Sequence, residues 1–227
     1  MKKGGDKKLI SLQTEIAPLV LLILVFFSSI AFYYSFPSIV PTHWNWAGQA
    51  DSWSAPDGAA FFFPLLISAI YLLMLILPWL DPRREKYPQF ARAYHAIKNS
   101  LIGFMAMLYW LIALNGLGVP LRLNFFMPIL VGLLFIVIGS FLNEVKSNWF
   151  IGIRTPWTLS SETVWKKTHQ FGSKLFVLSG IIFILLAWLP VYWQWPLLIM
   201  IMLLLAFGSL GYSYWVYLKE KNRGFKK

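Results

Sequence analysis

IAPLVLLILVFFSSIAFYYSF, residues 16–36, decides the fold class. It holds no charged residue over a length that suits a hydrocarbon core ~30 Å thick, which a helix of about 20 apolar residues crosses. Its apolar core is longer than the ~7–15 residues of a signal h-region, and Phe36-Pro37-Ser38 offers no small-x-small cleavage site. The stretch therefore predicts a retained span. Five further runs of this kind follow, at Phe61–Leu80, Ser100–Gly118, Phe125–Leu142, Leu175–Val191 and Leu197–Tyr217. The expected fold is an all-α integral membrane protein with six transmembrane helices.

Composition agrees. With 58% hydrophobic and 13% charged residues, the chain has too little polar surface to cover a soluble globule. A pI near 9.9 also occurs in nucleic-acid binders, but those carry their basic residues as a stripe on a folded face. Here they sit in tails and loops beside apolar runs, so the lipid bilayer is the partner and no direct nucleic-acid contact is expected. The chain holds 20 Lys and Arg, and all but Arg122 fall on one set of alternating connections. These are the N-terminal tail, the connection with Arg83, Arg84, Lys86, Arg92 and Lys98, the connection with Lys146 to Lys174, and the C-terminal tail. Positive loops stay on the cytoplasmic side, so both termini are expected in the cytoplasm and the protein in the cell membrane. The lack of Cys excludes disulfides and thiolate chemistry.

No Asp, Glu, Lys, Arg or His falls in the middle of a predicted span; Glu15, Glu144 and Lys174 sit at ends. A central charge costs ~2.5–3.5 kcal/mol on insertion scales and normally marks ion or proton handling, which this pattern disfavours. Pro64 and Pro128 are expected in the first turns of their helices, where no backbone donor is lost. No internal repeat supports an inverted-repeat transporter.

Two loops carry functional information. The external one, PTHWNWAGQADSW (Pro41 to Trp53), supplies Trp44, Trp46 and Trp53 as contact area, His43, Asn45 and Asp51 as directed polar groups, and Gly48 as a turn residue. One reading is a partner-binding surface. The other is a loop that packs its own hairpin against the membrane surface, with its polar groups satisfying turn backbone. His43 and Asp51 are the only metal-ligand types in the loop, short of the usual three or four, so no metal is assigned. The cytoplasmic loop, NWFIGIRTPWTLSSETVWKKTHQFGSK (Asn148 to Lys174), leaves the membrane through Asn148 and Phe150. Gly152 allows an unusual backbone angle, Thr155-Pro156 marks a turn, and Ser160 or Ser161 caps a helix with Glu162 in its first turn. Val164, Thr168, Phe171 and Leu175 share a face, which predicts a short amphipathic helix at the interface before the fifth span. Arg154 is either a clamp for phosphate, carboxylate or helix carbonyls, or an anchor to anionic headgroups. No Ser-His-Asp set, HExxH, Walker A or GxGxxG is present, and no catalytic residue or cofactor is assigned.

Asn148, Phe150, Gly152, Arg154, Thr155, Pro156, Trp157 and Trp165 lie in a stretch that resembles the signature of the SdpI family of bacterial immunity proteins. Pro41, His43, Asn45, Gly48, Asp51 and Trp53 resemble the motif of an uncharacterised membrane domain often placed ahead of it. His169 stands where the family pattern suggests Asn. The resemblance implies four regions: a basic tail (1–15), a helical hairpin with the Trp-rich loop (16–98), an SdpI-like four-helix region (99–217) and a second basic tail (218–227). It also implies protection against a secreted peptide toxin, and in the best-known member sequestration of a cytoplasmic transcriptional repressor. Transport or lipid handling, and a membrane enzyme built on a polar loop, remain the alternatives.

Overall fold

A computed structural model describes residues 9–45 and 47–224. Helix α1, Leu12–Ser35, starts where the Ser11 hydroxyl accepts from Thr14 N and the Thr14 hydroxyl accepts from Ser11 N. Strands β1, Val40–Trp44, and β2, Ala50–Ser54, then form an antiparallel hairpin. Helix α2, Pro56–Leu80, leads through a 3₁₀ segment at Arg84–Phe90 into α3, Ala91–Gly116. Helix α4, Leu123–Leu142, is followed by the short α5, Pro156–Ser160, then α6, Glu162–Leu186, and α7, Val191–Gly224. Among the described residues six helices are long and apolar enough to cross a membrane: α1, α2, α3 with its 3₁₀ lead, α4, α6 and α7.

Alternating crossings put the hairpin, the α3–α4 turn and the α6–α7 turn on one face, called here the hairpin face. The α2–α3 connection, the α4–α6 connection and the end of α7 share the other, the basic face. One apolar core joins α1, α2 and α3 through Val25, Ile67, Ile102 and Tyr109. A second lies at the basic face around Tyr87, Phe90, Tyr94 and Trp165. A third joins α4, α6 and α7 through Phe135, Phe183 and Leu205. Helices α4 and α6 touch at Gly132 and Gly180, where a methyl group on either residue would meet the other's carbonyl oxygen. Without a hydrophobic difference between helix and lipid, such close backbone contact is what holds membrane helices together.

The prolines correct the sequence reading. Helix α2 begins at Pro56, so Pro64 lies in its third turn, and Pro128 lies in the second turn of α4. Pro64 and Pro78 each remove an N–H from α2, freeing the carbonyls of Ala60 and Met74 four residues earlier. Two tyrosines of α3 replace those donors: Tyr109 Oη donates to Ala60 O at 3.0 Å, and Tyr94 Oη donates to Met74 O. Both phenols are buried. The α2–α3 pair is thus pinned at two heights by the backbone groups its prolines left open.

The amphipathic segment before the fifth span is also different from the expectation. It is continuous with that span in α6 and does not lie along the membrane surface. Val164, Trp165, Thr168, His169 and Gly172 are buried against the protein, while Phe171 and Leu175 are only half-buried. Nothing between Glu162 and Leu186 breaks the helix: its N-cap is Ser161, whose hydroxyl accepts from Val164 N at 3.3 Å.

Candidate functional site

On the basic face, the residues of the Asn148–Trp165 stretch mostly hold its own shape. The Asn148 side chain is buried; its Oδ1 accepts from Phe150 N and Ile151 N at 2.8 and 2.7 Å, and its Nδ2 donates to Lys146 O and Ile151 O. One amide thereby supplies the turn with partners for four backbone groups, which a structureless connection at this depth would lack. Gly152 has φ +115°, and a Cβ there would run into His169 Nε2. The same Nε2 accepts from Ile153 N at 3.1 Å, while His169 Nδ1 lies 2.9 Å from Trp165 O. An acceptor at Nε2 leaves the proton on Nδ1, so His169 is a neutral ring that ties the loop to α6. Trp165 stacks on that ring at 4.1 Å and donates its indole N–H to Val145 O at 2.8 Å.

Thr155 caps α5: its hydroxyl accepts from Thr158 N at 3.1 Å, its N–H donates to Thr158 Oγ1 at 2.8 Å, and Pro156 occupies the first helical position. Thr155 Oγ1 also donates to Ser213 Oγ of α7 at 3.1 Å, and Trp157 packs on Tyr214. Arg154 differs from its neighbours. It is exposed, with Nη1 donating to Trp149 O at 2.6 Å, so most of its guanidinium faces outward.

Three residues that the sequence leaves among the basic connections or unmarked complete this face: Asp81, Arg83 and Lys86. Asp81, buried at the end of α2, accepts from Arg83 N at 2.7 Å, Tyr87 Oη at 3.0 Å and Trp149 N at 2.9 Å. Arg83 reaches across to Ser147 Oγ and to Leu159 O. Lys86 pairs with Glu162. The α2–α3 connection and the α4–α6 connection are therefore one unit.

On the hairpin face, Asn45 shapes the turn. Its Oδ1 accepts from Ala47 N and Gln49 N, both at 3.0 Å, and Gly48 takes φ +77°. His43 and Asp51 pair across the strands, Nδ1 to Oδ1 at 2.6 Å, on the exposed side. Among the described residues no group of three or more His, Asp or Glu could hold a metal ion. Trp53 is exposed, Trp44 is half-buried, and Trp46 lies outside the described residues. Beneath the hairpin is a cavity of about 400 Å³. Trp44, Asn45 and Gly48 roof it, Phe63, Val131, Phe183 and Leu186 line it deeper down, and Asn124 and Gln194 lie beside the hairpin. No local pattern announces this cavity, because its walls come from α2, α3, α4, α6 and α7.

The comparisons with known proteins follow this division. Residues 20–67, from α1 through the hairpin into α2, match a domain of unknown function (DUF1648). Residues 144–213, from the end of α4 to Ser213, match the SdpI/YfhL protein family. The chain is 30% identical over 194 residues to Immunity protein SdpI of Bacillus subtilis (strain 168), covering 86% of this chain and 90% of that protein. It belongs to the SdpI family. No solved structure matches it.

This SdpI-family chain also holds a buried ion pair that its sequence concealed. Lys98, wholly buried in α3, donates to Glu15 of α1, and the same carboxylate accepts from Tyr71 Oη at 2.9 Å and Thr14 Oγ1 at 3.1 Å. His95 Nδ1 stands 3.9 Å from Glu15. Lys98 is therefore not one of the solvated positive charges of the α2–α3 connection. The Thr158 hydroxyl is engaged in the capping box of α5, and the Ser161 hydroxyl caps α6 and donates to Glu220 Oε2 at 2.6 Å.

Proposed function

We propose that this protein is a membrane immunity protein that meets a secreted peptide toxin on its hairpin face and passes the event to a cytoplasmic regulator through its basic face. Membership of the SdpI family, with a relative named as an immunity protein, supports the immunity role. The observation that carries the toxin-facing assignment is the aromatic hairpin closing over an apolar cavity, on the face whose loops hold only Arg122 among the 20 Lys and Arg. That charge distribution orients the hairpin face outward and both termini toward the cytoplasm. Exposed Arg154, Lys166 and Lys167 on the other face form a basic surface suited to an acidic region of a cytosolic regulator.

The test is survival of a toxin-sensitive bacterium expressing this chain and challenged with a panel of secreted antibacterial peptides. Protection by the wild-type chain, lost in Trp53→Ala at matched membrane levels, supports the outward hairpin. Protection kept in Arg154→Ala while a reporter of the response falls silent separates signalling from immunity. A well-inserted chain that protects against none of the peptides refutes the proposal.

A further inference from the structure

We infer that the cavity under the hairpin is the anchor pocket of the recognition site, and that it takes apolar side chains of a peptide that otherwise lies along the hairpin and whose backbone is met at the mouth by Asn124 and Gln194. This rests on the immunity reading above and names what that face would recognise.

Volume bears on the occupant. Ligand sites generally run from roughly 300 to 1,000 Å³ with mostly apolar walls and a few placed polar groups, and this cavity of about 400 Å³ has that character. It has room for a few side chains and not for a whole peptide, so it suits an anchor, with the remainder of the peptide lying along the hairpin. The chemistry of the mouth favours peptide over phospholipid. Among the described residues no Lys or Arg lines the cavity to meet a phosphate. Carboxamides do: Asn124 is exposed and holds no hydrogen bond among the described residues, and Gln194 is buried with its Nε2 on Leu189 O at 3.0 Å. A carboxamide both donates and accepts, as a peptide group does. The carboxylate of Asp57 is exposed on the same face, so a cationic flank on the peptide has a counter-charge there. The position of Gly48, whose Cβ would sit 4.0 Å from Asn124 Cγ, puts the hairpin turn directly beside the mouth.

The test uses the full chain in living cells, with a synthetic secreted peptide against which the wild-type chain protects as the probe. Photoreactive p-benzoylphenylalanine replaces Leu108, which lines the cavity, or Leu72, exposed on α2 as a lipid-facing control. The expected result is a peptide adduct at position 108 and none at 72. Val131→Phe and Met127→Trp, which fill the cavity from α4, should each abolish the adduct and lower the tolerated peptide concentration at least about ten-fold at matched membrane levels. Phospholipid adducts at 108 in place of peptide, or crosslinking and protection unchanged in both filled variants, overturn the assignment while leaving immunity standing. If the wild-type chain protects against no peptide, the immunity reading falls and this inference falls with it.

Discussion

Replacing Tyr109 by Phe deletes one oxygen and nothing else, yet the position of Pro64 gives that oxygen a measurable role. The Ala60 carbonyl has no intrahelical donor because Pro64 lacks an N–H, and the Tyr109 hydroxyl at 3.0 Å is its replacement. Ala60 and Tyr109 are both fully buried, so no water takes over when the hydroxyl goes. An orphaned buried acceptor costs about 1–3 kcal/mol, while hydrogen bonds between membrane helices average ~0.6 and reach ~1.7 kcal/mol. The expected loss for Tyr109→Phe is therefore about 1–1.5 kcal/mol. In a Pro64→Ala background the restored N–H of residue 64 serves the same carbonyl, and Tyr109→Phe should then cost no more than about 0.5 kcal/mol. The double-mutant cycle isolates the coupling from whatever Pro64→Ala does to the unfolded chain. Equilibrium unfolding of the purified protein in mixed micelles, followed by far-UV circular dichroism, reads all four corners. Equal losses in both backgrounds, or no loss in the wild-type background, would refute the proline-replacement argument. Tyr94→Phe and Pro78→Ala make the second, independent cycle, through the Met74 carbonyl.

Three other perturbations follow from the basic half of the bundle. Lys98→Met should destabilise by about 3–5 kcal/mol because it leaves the Glu15 carboxylate buried and unpaired, and adding Glu15→Leu should recover most of that loss in the same unfolding assay. Gly152→Ala should cost about 3 kcal/mol, through strain at φ +115° and displacement of His169 from Ile153 N; a smaller loss when His169→Ala is already present would show that the clash contributes. Asp81→Ala leaves Tyr87 Oη and Trp149 N without their shared acceptor, so amide exchange around Trp149 should accelerate about ten-fold or more before the transmembrane helices themselves loosen.

What could be read in the sequence divides along a physical line. Hydropathy over about 20 residues located every span, because insertion responds to summed apolarity. It missed where helices begin, since Pro56-Asp57-Gly58-Ala59-Ala60 belongs to α2 through a favourable first-turn proline and not through apolarity. Ser161 as a cap and Gly152 as a special backbone angle were legible because each is a local rule. The hairpin's strands were not anticipated: its pairing is interrupted by register irregularities at His43, which blurs the alternation that announces a strand. The ion pair was out of reach for a different reason. Glu15 and Lys98 each sit near the end of an apolar run, where a long side chain usually turns to the interface, and only packing of α1 on α3 turns them toward each other. The i−4 rule names the carbonyl that Pro64 releases but not the distant hydroxyl that finds it.

Asp81 has a consequence for how the protein is made. Its carboxylate is in place as soon as α2 is inserted, but the Trp149 N–H that it binds is translated only after α3 and α4. Arg83 likewise waits for Ser147 and Leu159. During synthesis the first three helices therefore present a carboxylate that already holds Arg83 N and Tyr87 Oη but not Trp149 N, and a guanidinium whose partners do not yet exist. Completion of the basic-face connection therefore locks the early helices to the late ones only after residue 159 has been made.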